Sequence, residues 1–322
     1  MVNKKIILIC TPIKSIKNLY DKFNKYFRII YKPNIELNKI NNLDKISYIF
    51  TNPNMSKIKF TKKNLIKIKN LKIICTASTG TNHIDLDFLR KKKIKLISLR
   101  EKKNVIKKIS STSELALTFA LNAIRNINIA SNSVLEKKWE YLPFVGRQLN
   151  SITIGIIGYG RLGKILVNLL KSLKCKVLIY EKNFKLKDKN KKFQTGLDFL
   201  LKNSDVISLH IHADKKNIKF INSKNLKIMK KNVILINTSR GEIVSENDLV
   251  NFLRKNKNAK YFTDVINDEI NNKWKSLIFK EFLKKKGNVV ITPHIGGMTL
   301  EAQQIAFNAA ADHLINLHKK MT

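Results

Sequence analysis

The sequence predicts an α/β protein made of two doubly wound, parallel-sheet (Rossmann-like) domains. Three observations carry this prediction. Short apolar runs alternate with longer amphipathic stretches, a glycine-rich turn follows one of the runs, and 322 residues are long enough for two ordinary domains. The hydrophobic content of 43% is normal for a globular protein that buries a core.

In the first third of the chain, short runs rich in Ile, Leu and Phe have the length and composition of buried strands. They predict strands at Lys5–Cys10, Ser47–Thr51, Lys72–Thr76 and Lys95–Ser98. The segment Asp85–Lys93 begins with acidic residues and ends with basic ones, as the helix macrodipole favours. This alternation predicts βαβ units around a mostly parallel sheet.

A long helical segment and a second series of strands follow. Apolar residues recur every four positions and predict one helix over Ser111–Leu135. Further apolar runs predict strands at Ile152–Ile157, Lys176–Tyr180, Val206–Ile211, Val233–Asn237, Tyr261–Val265 and Val289–Thr292. A final helix is predicted over Leu300–Leu317, so we expect two α/β domains with a helical connection.

The charge balance is strongly basic: 63 Lys and Arg residues against 23 Asp and Glu residues give a net charge of +40. Such a balance raises the alternative of a protein that binds nucleic acid or an anionic membrane surface. However, lysines are spread along nearly the whole chain beside Asn and Ile, as in Lys62–Ile74, which is typical of an AT-rich genome. We therefore predict no specific nucleic-acid partner and expect the charge to steer anionic ligands towards the protein.

The sequence also favours a cytoplasmic protein with no membrane partner. Its first residues contain one short apolar run, Ile6–Cys10, without the length or cleavage pattern of a signal peptide. No run approaches the roughly 18 apolar residues of a membrane span. Cys10, Cys75 and Cys175 lie in or beside apolar runs without metal-ligand spacing, which predicts small buried thiols in a reducing compartment.

One turn carries the signature of a dinucleotide site, because it follows a predicted strand directly and precedes an amphipathic helix. Its candidate cofactor-binding residues are Gly158, Tyr159, Gly160, Arg161, Leu162 and Gly163. Gly158 permits the tight turn, Gly160 lets the backbone approach a pyrophosphate, and Gly163 allows close packing of helix on strand. The helix N-terminus supplies N–H groups and a partial positive charge for the anion.

Glu181, at the end of the next predicted strand, indicates which cofactor binds. A carboxylate at this point can accept hydrogen bonds from the ribose hydroxyls of NAD, and it repels the 2′-phosphate of NADP. We therefore predict NAD, although Lys182 and Lys185 would tolerate a phosphate. The alternative is a glycine turn in an α/β sheet that binds no nucleotide.

Three further strands are each followed by a polar side chain suited to keto-acid chemistry: Arg240, Glu269 and His294. The carboxyl ends of parallel strands meet at one edge, so these groups and the glycine turn should face one crevice. Arg240 could hold a substrate's carboxylate and carbonyl. His294 could donate a proton as hydride reaches the carbonyl carbon, with Glu269 stabilising the imidazolium. Taken singly, each is more simply a salt bridge, a loop carboxylate or a packed imidazole, and only their convergence favours catalysis.

Taken in the order in which they occur along the chain, these motifs resemble those of the D-isomer-specific 2-hydroxyacid dehydrogenase family. The resemblance spans at least Ala77 to Ala302 and rests on the glycine turn, "NTSRGEIV", "DV" followed by a glutamate, and "PHIGG". It implies an oxidoreductase that transfers a hydride between NAD(H) and a small D-2-hydroxy acid or 2-keto acid. The residues it implies are a catalytic set of Arg240, Glu269 and His294, a nicotinamide site with Thr238 and Asp264, and a substrate site of Ser78, Thr79, Gly80 and Arg240.

The family's organisation also implies the roles of the domains. Residues 1–109 plus 296–322 would form the substrate domain and residues 110–295 the NAD-binding domain, with the reaction in an interdomain cleft. A homodimer paired through the cofactor domain is expected from the same resemblance, and no metal is expected.

The sequence departs from the family at a few positions. Ile270 stands where the family often has proline after the glutamate, and His212 stands where it has another proline. Neither change removes a catalytic group, and we interpret His83, His210 and His212 as structural.

The substrate stays open between 3-phosphoglycerate and a related acid, such as a sugar acid. "GTNHIDLD" is especially similar to the phosphoglycerate dehydrogenase branch, but Ile49–Asn54 lacks the arginine with which that branch recognises phosphate. We also expect no additional regulatory domain after the last helix. The alternative function is a non-enzymatic NAD(H)-sensing corepressor, against which the complete Arg–Glu–His set argues.

Overall fold

Parallel strands organise the chain into two separate sheets. The structure is a computed structural model, and it describes residues 4–33, 37–53, 58–81, 83–270, 272–284 and 287–321. The strands are β1 Ile6–Ile9, β2 Arg28–Tyr31, β3 Ile46–Thr51, β4 Ile73–Thr76, β5 Lys95–Ile97, β6 Thr153–Ile157, β7 Lys176–Tyr180, β8 Val206–Leu209, β9 Ile234–Asn237, β10 Lys260–Thr263 and β11 Val289–Ile291.

Helices connect these strands. They are α1 Leu19–Tyr26, α2 Lys62–Leu65, α3 Leu86–Lys91, α4 Lys103–Ile106, α5 Ser111–Arg125, α6 Ile127–Leu135, α7 Arg161–Ser172, α8 Leu197–Asn203, α9 Ser223–Ile228, α10 Glu246–Lys255, α11 Leu277–Phe282 and α12 Leu300–Met321. Single 3₁₀ turns lie at Leu37–Lys39, Leu43–Lys45, Leu99–Glu101, Leu142–Phe144, Leu149–Ser151, Lys191–Phe193, Gly241–Ile243 and Lys273–Lys275. Within the described ranges, no helix has the length and apolar character needed to cross a bilayer.

The chain divides into two units. The first comprises Met1–Ile109 and Met298–Thr322, and the second comprises Ser110–Gly297. The first sheet has the order β2-β1-β3-β4-β5 and the second the order β11-β10-β9-β8-β6-β7, and the paired strands run parallel. The strand order reverses at β1 and at β6, as in doubly wound sheets. The predicted fold class, two doubly wound α/β domains, is therefore confirmed.

The first sheet is buried on both faces. Successive side chains of a strand point to opposite faces, so Ile7 and Ile9 pack in one apolar cluster while Leu8 and Cys10 pack in another. The cluster around Ile7 includes Phe307 of α12, so the last helix of the chain completes the core of the first unit. Parallel sheets covered on both faces show this near-continuous apolar composition of their strands.

The second sheet is built in the same way. Leu235 and Tyr261 face one apolar cluster, and Ile236 and Phe262 face the other. Phe262 makes an edge contact with Phe119 of α5, with ring centres 5.8 Å apart. A sheet packed on both faces holds the carboxyl ends of its strands in fixed positions, and the candidate site residues follow those ends.

The cysteines differ in burial. Cys10 and Cys75 have no exposed surface, and burial raises the pKa of both thiols far above its ordinary value. They are inert core residues, as the sequence predicts. Cys175 is partly exposed, so the expectation of burial is wrong there, because it lies between the end of α7 and β7 instead of within a strand.

The predicted strands agree with the structure to within one or two residues at each end, but the prediction missed β2. This four-residue strand lies at the edge of the first sheet and is partly exposed along its length. It follows α1 after a single residue, Phe27. The pattern therefore lacked both the fully apolar run of a buried strand and a turn signal before it.

The single predicted helix Ser111–Leu135 is wrong at Asn126, where the chain breaks into α5 and α6. Asn126 adopts a left-handed conformation with φ of 59°, which asparagine tolerates better than other residues with side chains. Its amide oxygen accepts a hydrogen bond from Lys260, whose ammonium also donates to the carbonyl of Ala123 at 2.7 Å. Lys260, which is distant in the sequence, thus caps the end of α5 at a point where the apolar periodicity predicts that the helix continues.

Replacement of Phe307 by alanine should destabilise the first unit, because its ring is buried and packs on Phe50 with ring centres 5.9 Å apart. We expect a loss of about 3–5 kcal/mol in the free energy of unfolding, measured by urea denaturation. Leu300→Ala on the same helix, at a position 81% exposed, should cost less than about 0.5 kcal/mol. Equal losses for the two variants would contradict the packing described here.

Candidate active site

The glycine turn after β6 has the geometry of a phosphate-binding loop. Gly158 has φ of 97°, and a Cβ there would lie 2.6 Å from the carbonyl oxygen of His210. A Cβ on Gly163 would lie 2.1 Å from the carbonyl oxygen of Gly158, so α7 packs against the turn more closely than a side chain allows. Gly160, in contrast, would place a Cβ in open space. The turn is thus closed towards the protein and open where a pyrophosphate would approach.

The first turn of α7 contains Arg161 and Leu162. Burial lowers the pKa of the Arg161 guanidinium, which nonetheless stays charged at neutral pH. The carbonyl of Leu162 accepts a hydrogen bond from Ser113 of α5 at 2.9 Å, which ties α7 to the neighbouring helix.

Glu181 directly follows β7, beside the glycine turn. Its Oε2 accepts a hydrogen bond from the N–H of Tyr159 at 2.9 Å, and its Oε1 accepts one from the N–H of Asn183 at 2.9 Å. The carboxylate is therefore held in place by the backbone on either side of it, at the strand end where a ribose would bind.

The segment Thr238–Arg240 follows β9 and is braced by Asn237, which is fully buried. The Asn237 amide donates to the Arg240 carbonyl at 2.9 Å and accepts from the Ser239 N–H at 3.0 Å. Sequence reasoning missed Asn237, although an asparagine directly before a polar turn signals this kind of local bracing.

Thr238 supplies a specific indication of a bound group. Its side chain is 6% exposed, and its hydroxyl oxygen is buried without a hydrogen-bond partner among the described residues. A buried hydroxyl without a partner costs free energy unless a ligand or water satisfies it. The amide of a nicotinamide carboxamide is one group that could satisfy it, and this role of Thr238 stays a prediction.

His294 and Glu269 form the closest pair of candidate catalytic side chains. His294 Nδ1 lies 2.8 Å from Glu269 Oε1, and both side chains retain some exposure. Glu269 lies in the loop after β10 and His294 directly beyond β11, and these strands are neighbours. Arg240 follows β9, on the other side of β10, and its guanidinium donates to the carbonyl of Ser239 at 2.6 Å. The sheet thus brings all three residues to adjacent strand ends.

Asp264 fixes the turn that presents His294. Its Oδ1 accepts hydrogen bonds from the Thr292 hydroxyl and the Ile295 N–H, and its Oδ2 accepts one from the Gly296 N–H at 2.7 Å. Burial raises the pKa of this carboxyl, while these hydrogen bonds act to lower it. His294 itself has φ of 58°, a left-handed conformation that persists only when the surroundings enforce it. Both Asp264 oxygens are thus already engaged by the turn.

Glu246, on the first turn of α10, anchors the loop that carries Glu269. Its carboxylate accepts hydrogen bonds from the Asn267 N–H at 3.2 Å, the Ser276 hydroxyl at 2.8 Å and the Leu277 N–H at 2.8 Å. These donors lie on both sides of Glu269 in the chain. Sequence reasoning missed Glu246, because it depends on contacts with residues more than twenty positions away.

The predicted substrate loop Ser78–Gly80 follows β4 in the first unit. The Ser78 hydroxyl donates to the Gly80 carbonyl at 2.7 Å, and the Ser78 carbonyl accepts from the Leu99 N–H at 2.9 Å. Among the described residues, the N–H groups of Thr79 and Gly80 donate to no protein acceptor. Two such N–H groups in a turn can bind a carboxylate.

Two of the histidines interpreted as structural, His83 and His210, differ from His294 in their surroundings, while His212 is exposed. His83 is fully buried. His210 lies with Nε2 2.8 Å from the Ser208 hydroxyl, and burial lowers its pKa to about 4, so the imidazole is neutral at physiological pH. Among the described residues, His, Cys, Asp and Glu form no group of three placed to bind a metal ion.

The second unit, which carries the glycine turn, is similar in sequence to a known family of NAD-binding domains. The family model for the D-isomer specific 2-hydroxyacid dehydrogenase, NAD binding domain, matches residues 117–296, more than half of the chain. The chain belongs to the D-isomer-specific 2-hydroxyacid dehydrogenase family. The resemblance stated from the motifs is therefore confirmed.

Individual members of this family show the same relationship along most of the chain. A glyoxylate reductase of Thermococcus litoralis is 32% identical over 292 residues, which cover 88% of this chain and 83% of the relative. A D-3-phosphoglycerate dehydrogenase of Archaeoglobus fulgidus is 34% identical over 254 residues, but these cover only 46% of that protein. The crystal structure of a D-lactate dehydrogenase from Aquifex aeolicus, complexed with NAD and lactic acid, superposes with a TM-score of 0.80. It is 27% identical, and the superposition covers 98% of this chain and 96% of that one.

Membership of this dehydrogenase family defines the class of chemistry. The protein is an NAD-dependent oxidoreductase of the D-2-hydroxyacid dehydrogenase type, and residues 117–296 belong to its NAD-binding domain. The open face at Gly160, the fixed Glu181 carboxylate and the unsatisfied Thr238 hydroxyl fit that cofactor.

Glu246→Gln should loosen the loop that carries Glu269, because a glutamine cannot accept hydrogen bonds at both of its terminal atoms. We expect the amide of Leu277 to exchange with solvent at least about tenfold faster, since a hydrogen bond to a charged acceptor contributes roughly 1.5–3 kcal/mol. Amide hydrogen exchange measures this directly. Asp248→Asn on the same helix, whose carboxylate accepts from the Ser223 N–H, is the matched control and should leave Leu277 unchanged. Unchanged exchange in both variants would contradict the anchoring role.

Proposed function

We propose that the protein interconverts a small D-2-hydroxy acid and the corresponding 2-keto acid, with His294 as the acid and base. Glu269 would orient and charge-stabilise the imidazole, and Arg240 would bind the substrate's carboxylate and carbonyl. The observation that carries this proposal is the 2.8 Å contact of His294 Nδ1 with Glu269 Oε1 at the ends of neighbouring strands.

The chemistry follows from the atoms that these residues present. NAD, when bound, supplies or accepts the hydride. In the direction of reduction, His294 Nε2 gives its proton to the carbonyl oxygen as the hydride reaches the carbonyl carbon, and the imidazole then takes a proton from solvent. In the direction of oxidation the neutral imidazole accepts the hydroxyl proton, and Glu269 stabilises the imidazolium that forms. Arg240 binds carboxylate and carbonyl in a planar, bidentate arrangement.

We further propose that the first unit is the substrate domain, with the N–H groups of Thr79 and Gly80 binding the substrate carboxylate. Their lack of protein acceptors among the described residues supports this assignment. The relatives include a glyoxylate reductase and a D-3-phosphoglycerate dehydrogenase, and one solved relative was crystallised with lactic acid. Because Ile49–Asn54 contains no arginine for a phosphate, we favour a small unphosphorylated keto acid.

The test is NADH oxidation with glyoxylate, hydroxypyruvate, pyruvate and phosphohydroxypyruvate. We expect turnover with at least one of the first three substrates and weaker turnover with the phosphorylated one. His294→Ala should lower kcat by about 100-fold or more, the usual contribution of a general acid. His212→Ala, which removes an imidazole that follows β8, is the matched control and should retain activity.

Three outcomes would contradict the proposal. Full activity of His294→Ala would exclude the assigned proton donor. A preference for phosphohydroxypyruvate would overturn the choice of substrate. Tight NADH binding without turnover of any substrate on the panel would favour the cofactor-sensing alternative.

We propose that the protein forms a homodimer through an exposed apolar segment of the NAD-binding domain. Leu135, Trp139, Tyr141, Leu142 and Val145 are each at least 71% exposed. The base of the segment is fixed, because the Arg147 N–H donates to the carbonyl of Ile124 and the Asn126 amide donates to that of Phe144. Exposed apolar side chains on an anchored segment are typical of a protein–protein interface.

The double substitution Trp139→Glu with Leu142→Glu should convert a dimer into a monomer, because it places charges in an apolar interface. Sedimentation equilibrium measures the mass of each species. Phe199→Glu, at a position 56% exposed on α8, should leave the dimer intact. A monomeric wild type, or a dimer that survives the double substitution, would contradict this interface.

A further inference from the structure

Tyr159, the second residue of the glycine turn, has its side chain directed into the protein. It is 2% exposed, although the next residue, Gly160, borders open space. The phenol donates to Asp188 Oδ2 at 3.1 Å and accepts from the Asn190 side-chain amide at 2.5 Å. Asp188 and Asn190 lie in the loop after β7, the same loop that begins with Glu181. Tyr159 therefore connects the phosphate-binding turn to the segment that follows the ribose-binding strand end.

The two hydrogen-bond partners of the phenol, Asp188 and Asn190, are themselves paired with lysines of α7. Lys164 Nζ lies 3.5 Å from Asp188 Oδ2 and 5.1 Å from the centre of the Tyr159 ring. Lys171 Nζ donates to the Asn190 amide oxygen at 3.0 Å. Burial acts to raise the pKa of Asp188, but hydrogen bonds from the Asn190 N–H, Tyr159 and Lys164 outweigh it and lower the pKa. Burial raises the pKa of Tyr159, so at neutral pH the pair is a neutral donor and a charged acceptor.

The same tyrosine also contacts Glu181 through its backbone. Its N–H donates to Glu181 Oε2, while the Asn183 N–H donates to Oε1. The loop is thus attached to the glycine turn at its beginning by Glu181 and near its end by Asp188 and Asn190. Between these attachments lie the exposed lysines Lys182, Lys185 and Lys187.

We propose that Tyr159 is a positioning residue that sets the preference for NAD over NADP. Its phenol holds the loop after β7 against the glycine turn. This keeps the Glu181 carboxylate fixed where it repels a 2′-phosphate, and keeps the loop's lysines exposed. A loop released from the phenol lets Glu181 move away and lets a lysine pair with the phosphate. The proposal rests on the proposed role of Glu181 in ribose binding.

The experiment is a fluorescence titration of NADH and NADPH, which requires no knowledge of the substrate. Tyr159→Phe keeps the ring and removes only the hydroxyl. The variant loses both hydrogen bonds of the phenol, to Asp188 and from Asn190. We expect it to weaken NADH binding by about 5–10-fold, since part of their stabilisation no longer reaches the nucleotide site, and to leave NADPH binding unchanged or tighter. The dissociation constant for NADPH divided by that for NADH should therefore fall at least about fivefold. Asp188→Asn, on the partly exposed loop, should change the ratio in the same direction.

Tyr48→Phe is the matched control. Tyr48 is also a buried tyrosine with a hydrogen-bonded hydroxyl, 3.1 Å from His318 Nδ1, but it lies in the core of the first unit. Removal of the Tyr48 hydroxyl should leave both dissociation constants within about twofold of the wild-type values. Equal weakening of NADH and NADPH by Tyr159→Phe, or no change, would overturn the proposal, since a purely structural role affects both nucleotides alike.

The Glu181→Gln variant distinguishes a failure of the Tyr159 proposal from a failure of the ribose-binding role of Glu181 on which it rests. A changed nucleotide ratio in Glu181→Gln but not in Tyr159→Phe would retain the role of Glu181 and exclude positioning by Tyr159. An unchanged ratio in Glu181→Gln would instead exclude the role of Glu181 itself, and the Tyr159 proposal with it.

Discussion

Parallel pairing of the strands β6 to β11 is the constraint on which the rest of the second unit depends. Because every paired strand runs in the same direction, all carboxyl ends lie at one edge of the sheet. The glycine turn, Glu181, Arg240, Glu269 and His294 each follow such an end. The sheet therefore brings the nucleotide turn and the candidate catalytic side chains to one edge, because each of them follows the end of a strand.

Hydrogen bonds from three polar side chains then determine the shape of the turns at the strand ends. Asp264 holds the turn of His294, Asn237 braces the turn of Arg240, and Glu246 holds the loop of Glu269. Each accepts hydrogen bonds from backbone N–H groups or braces a turn through its amide, and hydrogen bonds to a carboxylate are stronger than those between neutral groups. The candidate catalytic side chains are thus partly exposed, while Asp264 and Asn237 are buried and Glu246 is partly buried.

The sequence predicted the fold and the candidate residues because both depend on local patterns. Apolar runs identify strands, and glycine spacing before a helix identifies the nucleotide turn. The prediction of Asp264 beside the nicotinamide gave no sign that its oxygens bind the turn of His294, a contact that depends on the pairing of β10 with β11. Asn126 breaks a helix because of Lys260, and Tyr159 reaches Asp188 across a loop. Such contacts join residues far apart in the chain, and no single-segment pattern contains them.

The position of β11 makes His294, the proposed proton donor, sensitive to local unfolding. This strand is the edge of its sheet and pairs with β10 over only three residues, Val289 to Ile291. Edge elements with few hydrogen bonds open at a lower free energy than central strands. Fraying of this edge would separate His294 from both Asp264 and Glu269 while leaving the glycine turn, four strands away, intact. Heat or denaturant should then abolish turnover before it abolishes cofactor binding, and the enzyme would pass through a state that holds its nucleotide but cannot use it.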